Sequence, residues 1–100
     1  MRPDPRLPTL IFFTQATSGP ARRMESLLAH VARKERARLT VRRVDAEQHP
    51  ALAEKFSVEK LPALVLVHDR QIVDRIDGRA SMPQIEALLG AHLPRVGALA

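Results

Sequence analysis

Three neighbouring patterns near the start of the chain constrain its fold most strongly. An apolar run from Thr9 to Thr14 predicts a strand that is buried on both faces. A turn through Gly19 and Pro20 follows, with Ser18 or Gly19 as the helix N-cap, and Pro20 suits a first helical turn. Apolar residues then recur at helical spacing, at Met24, Leu27, Leu28, Val31 and Ala32. A buried strand that leads directly into an amphipathic helix indicates an α/β fold.

The rest of the sequence predicts three more strands and two more helices. The predicted elements are a polar edge strand at Leu39–Val44, a helix at Pro50–Phe56, a central strand at Ala63–Val67, a hairpin turn at His68–Gln71, a strand at Ile72–Ile76 that Gly78 ends, and a helix that Ser81 caps and that stops before Pro94. The order is β-α-β-α-β-β-α. It predicts a mixed four-stranded sheet with helices on both faces.

The length of 100 residues predicts one domain. We expect residues 1–8 to be an extended Pro-rich leader, residues 9–93 to fold, and residues 94–100 to be a flexible tail. The N-terminus has no apolar signal core, and no apolar run approaches the roughly 18 residues of a membrane span. These observations predict a cytoplasmic protein that does not interact with membranes.

The net charge of +5 is concentrated in one part of the sequence. Between positions 22 and 43 there are two acidic residues and eight basic ones, namely Arg22, Arg23, Arg33, Lys34, Arg36, Arg38, Arg42 and Arg43. This basic patch could attract an acidic partner or nucleic acid. The alternative is a solvated helix face that continues into an edge strand whose charges prevent aggregation. Stacking aromatic residues are absent from the patch, which argues against single-strand nucleic acid binding.

The chain contains no cysteine, which excludes disulfides, thiolate metal ligands and thiol redox chemistry. The four histidines, at positions 30, 49, 68 and 92, fall on separate predicted elements without the spacing of metal ligands. No metal site and no cofactor are therefore expected.

Several motifs make the sequence similar to the thioredoxin-like superfamily over residues 9–93. They are the Gly19-Pro20 pair at the helix start, Val44-Asp45 followed by His49-Pro50, the Leu61-Pro62-Ala63 stretch, and Gly78 before the last helix. The resemblance implies the thioredoxin fold. It also implies that Pro62 is a cis-proline, which would leave the backbone of Leu61 extended and able to pair with a strand-like peptide.

The sequence differs from the family pattern at the positions that carry the family's redox chemistry. Ser18 and Ala21 stand where the family has its attacking and resolving cysteines, so the motif reads Ser18-Gly19-Pro20-Ala21. Thr17 stands at the position of the usual tryptophan, and Phe12 at that of the buried acidic residue. A serine hydroxyl is too weakly acidic to replace a thiolate at neutral pH. The resemblance therefore implies a redox-inactive family member without dithiol-disulfide oxidoreductase activity.

We expect such a protein to be a non-catalytic module that binds a protein or peptide, as a monomer or weak dimer. Its predicted binding face comprises the former active-site positions Thr17, Ser18, Gly19, Pro20, Leu61 and Pro62. Each of these residues also has a purely structural explanation, in turn formation or helix capping. One alternative function is glutathione binding or transferase-like activity, with Ser18 donating a hydrogen bond to a bound thiol. Another is binding of an acidic partner or nucleic acid to the basic patch.

Overall fold

The computed structural model describes residues 6–15 and 19–93. These ranges contain β1 (Thr9–Thr14), α1 (Gly19–Lys34), β2 (Thr40–Asp45), α2 (Pro50–Lys55), β3 (Ala63–His68), β4 (Gln71–Asp77) and α3 (Met82–His92). The predicted β-α-β-α-β-β-α order is confirmed. The predicted tail, most of the predicted leader and the N-cap candidate Ser18 lie outside the described residues.

The four strands form one mixed sheet in the order β2-β1-β3-β4. β1 pairs in parallel with β2, from Thr9 opposite Thr40 to Thr14 opposite Asp45. β1 pairs antiparallel with β3, and β3 forms an antiparallel hairpin with β4. The long α1 connection makes the first pairing parallel, since parallel neighbours need a crossover between them. The strand order confirms that the polar strand β2 is at an edge and that the apolar strands β1 and β3 are central.

One face of the sheet is covered by α1 and α3. Alternate residues of the central strands point to this side, and Leu10, Phe12, Leu64 and Leu66 are all buried there. Helix α1 contributes Met24, Leu28 and Val31 to the same cluster, and α3 contributes Ile85, Leu88 and Leu89. The side chain of Ser81 accepts a hydrogen bond from Gln84 N, and that of Gln84 accepts one from Ser81 N, so a capping box starts α3.

The opposite face of the sheet packs against α2. The other alternate residues of the strands, Ile11, Phe13, Val44, Ala63 and Val65, form a second buried cluster. Leu52 and Ala53 of α2 and Phe56 at its C-terminal end pack on this cluster. The rings of Phe13 and Phe56 are tilted, with centroids 5.9 Å apart. Helices therefore lie on both faces of the sheet, as the sequence predicts.

Two local details differ from the sequence predictions. β2 begins at Thr40 because the buried Leu39 instead donates its N–H to Glu35 O and closes the end of α1. The hairpin turn contains only Asp69 and Arg70, both with positive φ (53° and 65°), so β4 begins earlier than predicted. Two-residue hairpin turns with positive φ at both positions match the twist of the flanking strands.

The edge strand β4 also contains an irregularity that alternation does not predict. Leu66 pairs with Asp74 but Val67 pairs with Ile72, so Val73 has no partner on β3 and forms a bulge. Ile72 and Val73 are both exposed, by 44% and 39%. A bulge twists an edge away from regular pairing, which protects this apolar edge from association with other strands.

An ion pair connects β4 to the last residue of α3. The His92 ring nitrogen Nε2 lies 2.9 Å from Asp74 Oδ2, and Asp74 Oδ1 accepts a hydrogen bond from Arg75 N. The hydrogen bond with His92 lowers the pKa of Asp74, with a smaller contribution from the Arg75 N–H. The pair therefore stabilises the contact between the sheet edge and the helix end when Asp74 is ionised.

The buried Phe12 ring should dominate the stability of the α1–α3 face. Phe12 is 1% exposed, so Phe12→Ala leaves a cavity, and we expect a loss of about 3–5 kcal/mol in the free energy of unfolding. Ile72→Ala on the exposed edge should cost less than about 1 kcal/mol. Urea unfolding followed by circular dichroism measures both values, and equal losses would contradict this assignment of the core.

The Asp74–His92 pair should make a small contribution to stability that depends on pH. A lowered pKa in the folded state stabilises the fold above the ordinary aspartate pKa of about 3.9, and this contribution is lost as the pH falls through the folded-state value. Asp74→Asn should therefore be less stable than the wild type at pH 5 and equally stable near pH 2. The difference should stay below about 1 kcal/mol because the two side chains are 43% and 31% exposed. Urea midpoints at the two pH values measure it, and a difference that grows on acidification would contradict it.

Candidate functional site

The register of the sheet brings the described part of the predicted binding face to one end of the sheet. Thr14, the last residue of β1, pairs with Asp45 at the end of β2, while Phe13 pairs with Ala63 at the start of β3. Ala63 in turn pairs with Asp77 at the end of β4. The end of β1, the turn into α2 and the Leu61–Pro62 segment therefore lie at the same end.

The structure describes the predicted binding face in part. Thr17 and Ser18 lie outside the described residues, whereas Gly19, Pro20 and Ala21 form the first turn of α1. Leu61 is half-buried and Pro62 is buried directly before β3. The described part of this face therefore consists of the first turn of α1 and the segment before β3.

In the Leu61–Pro62 segment, the backbone of Pro62 is hydrogen-bonded to the residue that follows β4, and the backbone of Leu61 has no such bond to residues 6–15 or 19–93. The peptide bond between the two residues is cis. Pro62 O accepts a hydrogen bond from Gly78 N at 2.8 Å, which connects this segment to the end of β4. The N–H and C=O groups of Leu61 have no hydrogen-bond partner within the described residues. Leu61 therefore has one backbone donor and one backbone acceptor that are not used by other described residues.

A well-defined helix end determines the course of the chain before Leu61. Ser57 N donates to Glu54 O and Val58 N donates to Ala53 O, while Ser57 has a positive φ of 55°. This pair of bonds around a left-handed residue is a Schellman motif, a position that usually holds glycine. It turns the chain sharply away from α2 and towards Leu61.

Arg75 of β4 holds the same turn in place, a role that no motif in the sequence indicates. Its guanidinium donates to Phe56 O at 2.9 Å and to Ser57 O at 3.2 Å, and it is paired with Asp77 at 2.9 Å. Alternation on β4 places Arg75 on the same side of the sheet as α2, which is the only sequence signal for the contact. Arg75 is a positioning residue for the segment that leads to Leu61.

An open groove lies between α2 and the segment that leads to Leu61. We call it the α2 groove, and it encloses about 570 Å³. Its apolar lining includes Ala46, Pro50, Ala53, Val58 and Leu61. Its acidic lining consists of Glu47, Glu54 and Glu59, all of which are exposed. All of these residues lie within positions 46–61, and no spacing in the sequence indicates a groove there, because the groove depends on how the chain turns before and after α2.

Position 12, where the family resemblance puts a buried acidic residue, is apolar in this chain. Phe12 is fully enclosed, and it contributes to a depression with Leu28 of α1 and Val41 of β2. Arg43 and Glu25 form an ion pair at the same depression. With no cysteine in the chain and no ionisable group at position 12, this region has neither a thiol nor a buried carboxyl to move a proton.

The basic patch is spread over α1, the loop that follows it and β2. Seven of its eight basic side chains are exposed, but two of the eight are neutralised locally. Arg43 is paired with Glu25, and Arg38 lies 2.5 Å from Glu35. The patch is therefore a largely solvated surface.

The described residues give no indication of a metal centre or of a membrane span. Within residues 6–15 and 19–93, no three histidine or acidic side chains come together as metal ligands would. His68 lies near Arg6 O and His92 is paired with Asp74, so these two rings have separate partners. None of the described helices is both long and apolar enough to cross a bilayer.

Comparisons with known sequences match this architecture. Residues 4–91 match the thioredoxin family. The chain is 31% identical over 78 residues to a chloroplastic thioredoxin of Arabidopsis thaliana, thioredoxin Y2, across 78% of this chain and 47% of that protein. It is equally identical over 78 residues to a thioredoxin-like protein of Synechocystis, across 74% of that protein. The match spans about half the length of the two Arabidopsis thioredoxins that it resembles.

Solved structures show the same arrangement of elements. The germline-specific thioredoxin Deadhead of Drosophila melanogaster superposes with a TM-score of 0.81 at 21% identity, over 87% of this chain and 82% of that one. A malarial protein superposes with a TM-score of 0.78 at 22% identity, over 86% of this chain and 97% of that one. The fold and the match across residues 4–91 show that the chain belongs to the thioredoxin family, as a member without cysteines.

Proposed function

We propose that this protein is a non-catalytic thioredoxin-fold module that binds an extended peptide segment of a partner protein. The observation that supports this most directly is the free N–H and C=O of Leu61 at the end of the sheet where the site segments meet. A partner in extended conformation can satisfy both groups by adding as a short strand, while adjacent pockets take its side chains.

Several hydrogen bonds hold the segment around Leu61 in place, and this order supports a binding role. The Schellman motif and the Arg75 hydrogen bonds hold Phe56 and Ser57, and the bond from Gly78 N holds Pro62 O. A binding edge that is ordered before the partner arrives loses little conformational entropy on association. The glutathione alternative rests on Ser18, which lies outside the described residues, and stays a prediction.

The wild-type protein should not catalyse disulfide reduction, because dithiol exchange needs a thiolate nucleophile. We expect no acceleration of insulin reduction by dithiothreitol over the uncatalysed rate. The double variant Ser18→Cys/Ala21→Cys places two thiols at the positions where the family has them, and it should form an internal disulfide and accelerate the reaction. Catalysis by the wild type would contradict the non-catalytic assignment, and a double variant without the disulfide would contradict the alignment of this turn.

Binding of an extended peptide should protect the amide of Leu61 from hydrogen exchange. Peptides selected from a random ten-residue display library serve as probes, and exchange is followed by NMR with and without saturating peptide. The Leu61 amide should exchange quickly in the free protein and at least about tenfold more slowly in the complex. The Gly78 amide, already bonded to Pro62 O, is the internal control and should be protected in both states. A library without binders, or bound peptide with unchanged Leu61 exchange, would overturn the proposal.

A further inference from the structure

The α2 groove borders the proposed binding edge and has a composition suited to one kind of side chain. Its apolar lining includes Ala53, Val58 and Leu61, and its acidic lining comes from Glu47, Glu54 and Glu59. A long aliphatic stem that ends in a positive charge fits both parts, because arginine and lysine bury their methylene groups and keep the charge in water. An apolar side chain would gain nothing from the three exposed carboxylates, which stay hydrated, and an acidic one would meet like charge.

The three carboxylates are free to interact with such a side chain. Glu47, Glu54 and Glu59 make no ion pair within the part of the chain that the structure describes. The two lysines of the same segment have other contacts. The Lys55 ammonium lies 5.9 Å from the centroid of the Phe56 ring, and the Lys60 side chain lies against Gly78. The three carboxylates of the groove are therefore not held in ion pairs with other described residues.

The position of Glu54 adds a second reason to see these charges as a recognition feature. Glu54 lies in the last turn of α2, where a negative charge interacts unfavourably with the helix dipole. It makes no side-chain hydrogen bond within the described residues that would offset this effect. Replacing Glu54 with glutamine should therefore leave the fold at least as stable, which makes the groove open to testing by substitution.

The acidic charge of this groove is opposite in sign to the net charge of the protein. The whole chain has a net charge of +5, and its basic patch lies on α1, the loop after it and β2. Non-specific attraction would therefore favour acidic peptides. A preference for basic peptides can come only from a local acidic site.

We propose that the α2 groove selects an extended peptide with an arginine or lysine beside the residues that pair with Leu61. This inference rests on the proposed function and names the class of segment that the binding edge takes. The partner is thus a protein with an exposed extended segment in which a basic residue accompanies apolar ones.

The experiment is a selection from the same random ten-residue library with salt near physiological concentration. We expect arginine and lysine to be enriched at one position of the selected peptides. Changing that residue to glutamine should weaken binding about five- to tenfold at 50 mM salt, and by less than about twofold at 0.5 M salt, since exposed charges are screened. Fluorescence anisotropy with the two labelled peptides measures both ratios.

Two variants of the protein locate the effect. In the triple variant Glu47→Gln/Glu54→Gln/Glu59→Gln, the arginine and glutamine peptides should bind equally well. In the control Glu86→Gln, which alters an exposed carboxylate on α3 and hence on the opposite face of the sheet, the difference should remain as in the wild type. Thermal unfolding verifies that both variants are folded.

The possible outcomes separate this inference from the proposed function. A library without binders overturns both. Peptides that protect Leu61 but show no basic enrichment, or show acidic enrichment, overturn the charge selectivity alone, and so does a preference that survives in the triple variant. If sedimentation shows a wild-type dimer that the triple variant does not form, the occupant of the groove is a second copy of this chain, and the inference is wrong.

Discussion

The structure depends on the pairing of β1 with strands on both of its sides. Among the four described strands, β1 and β3 each lie between two sheet neighbours and two helical layers, and β1 is buried over all but its first residue. Its alternate side chains enter the two cores, Leu10 and Phe12 on one face and Ile11 and Phe13 on the other. A slip of one residue would exchange these sets between the faces, so burial fixes the register. That register is also what brings the end of β1 and the Leu61 segment to the same end of the sheet.

Periodicity was sufficient to predict the elements of this fold, and local backbone chemistry explains what it missed. The apolar runs of β1 and β3 and the helical spacing in α1 and α3 leave few alternatives. The bulge at Val73 was not predictable, because Gln71–Asp77 reads as regular alternation and the pairing with Val67 determines the shift. Ser57 in a left-handed conformation was not predictable either, since glycine is the residue that normally signals such a helix end.

The sequence predicts only those residues of the candidate site that lie next to each other in the chain. Leu61 and Pro62 are adjacent in sequence, and a known motif identifies them. Arg75 acts across segments, since its guanidinium bonds to carbonyl groups 18 and 19 residues away, and the α2 groove depends on how the chain turns on either side of α2. Contacts of that kind follow from the docking of α2 against the sheet. No spacing rule along the sequence contains this information.

The positions that carry the family's redox groups and the hydrogen bonds that hold the Leu61 segment are independent of each other in this fold. A carboxyl at position 12 would be desolvated and costly, whereas the Phe12 ring fills the core between α1 and the sheet and contributes its full burial to stability. The hydrogen bonds that hold the Leu61 segment come from Gly78, Arg75 and the end of α2, and none of them involves position 12, 18 or 21. Replacing the redox groups therefore leaves the supports of the edge intact.

In the proposed complex, the net charge of the protein and the acidic groove act on different steps, namely the approach of the peptide and its release. At physiological ionic strength, exposed charges act over about 8 Å, so a bound peptide senses the groove carboxylates far more strongly than the net charge of the chain. At low ionic strength the basic surface repels a cationic peptide during approach, although the groove attracts it once it is bound. The net charge thus acts mainly on the rate of association, while Glu47, Glu54 and Glu59 act on the rate of dissociation. A protein that is basic as a whole can for this reason be selective for a basic segment.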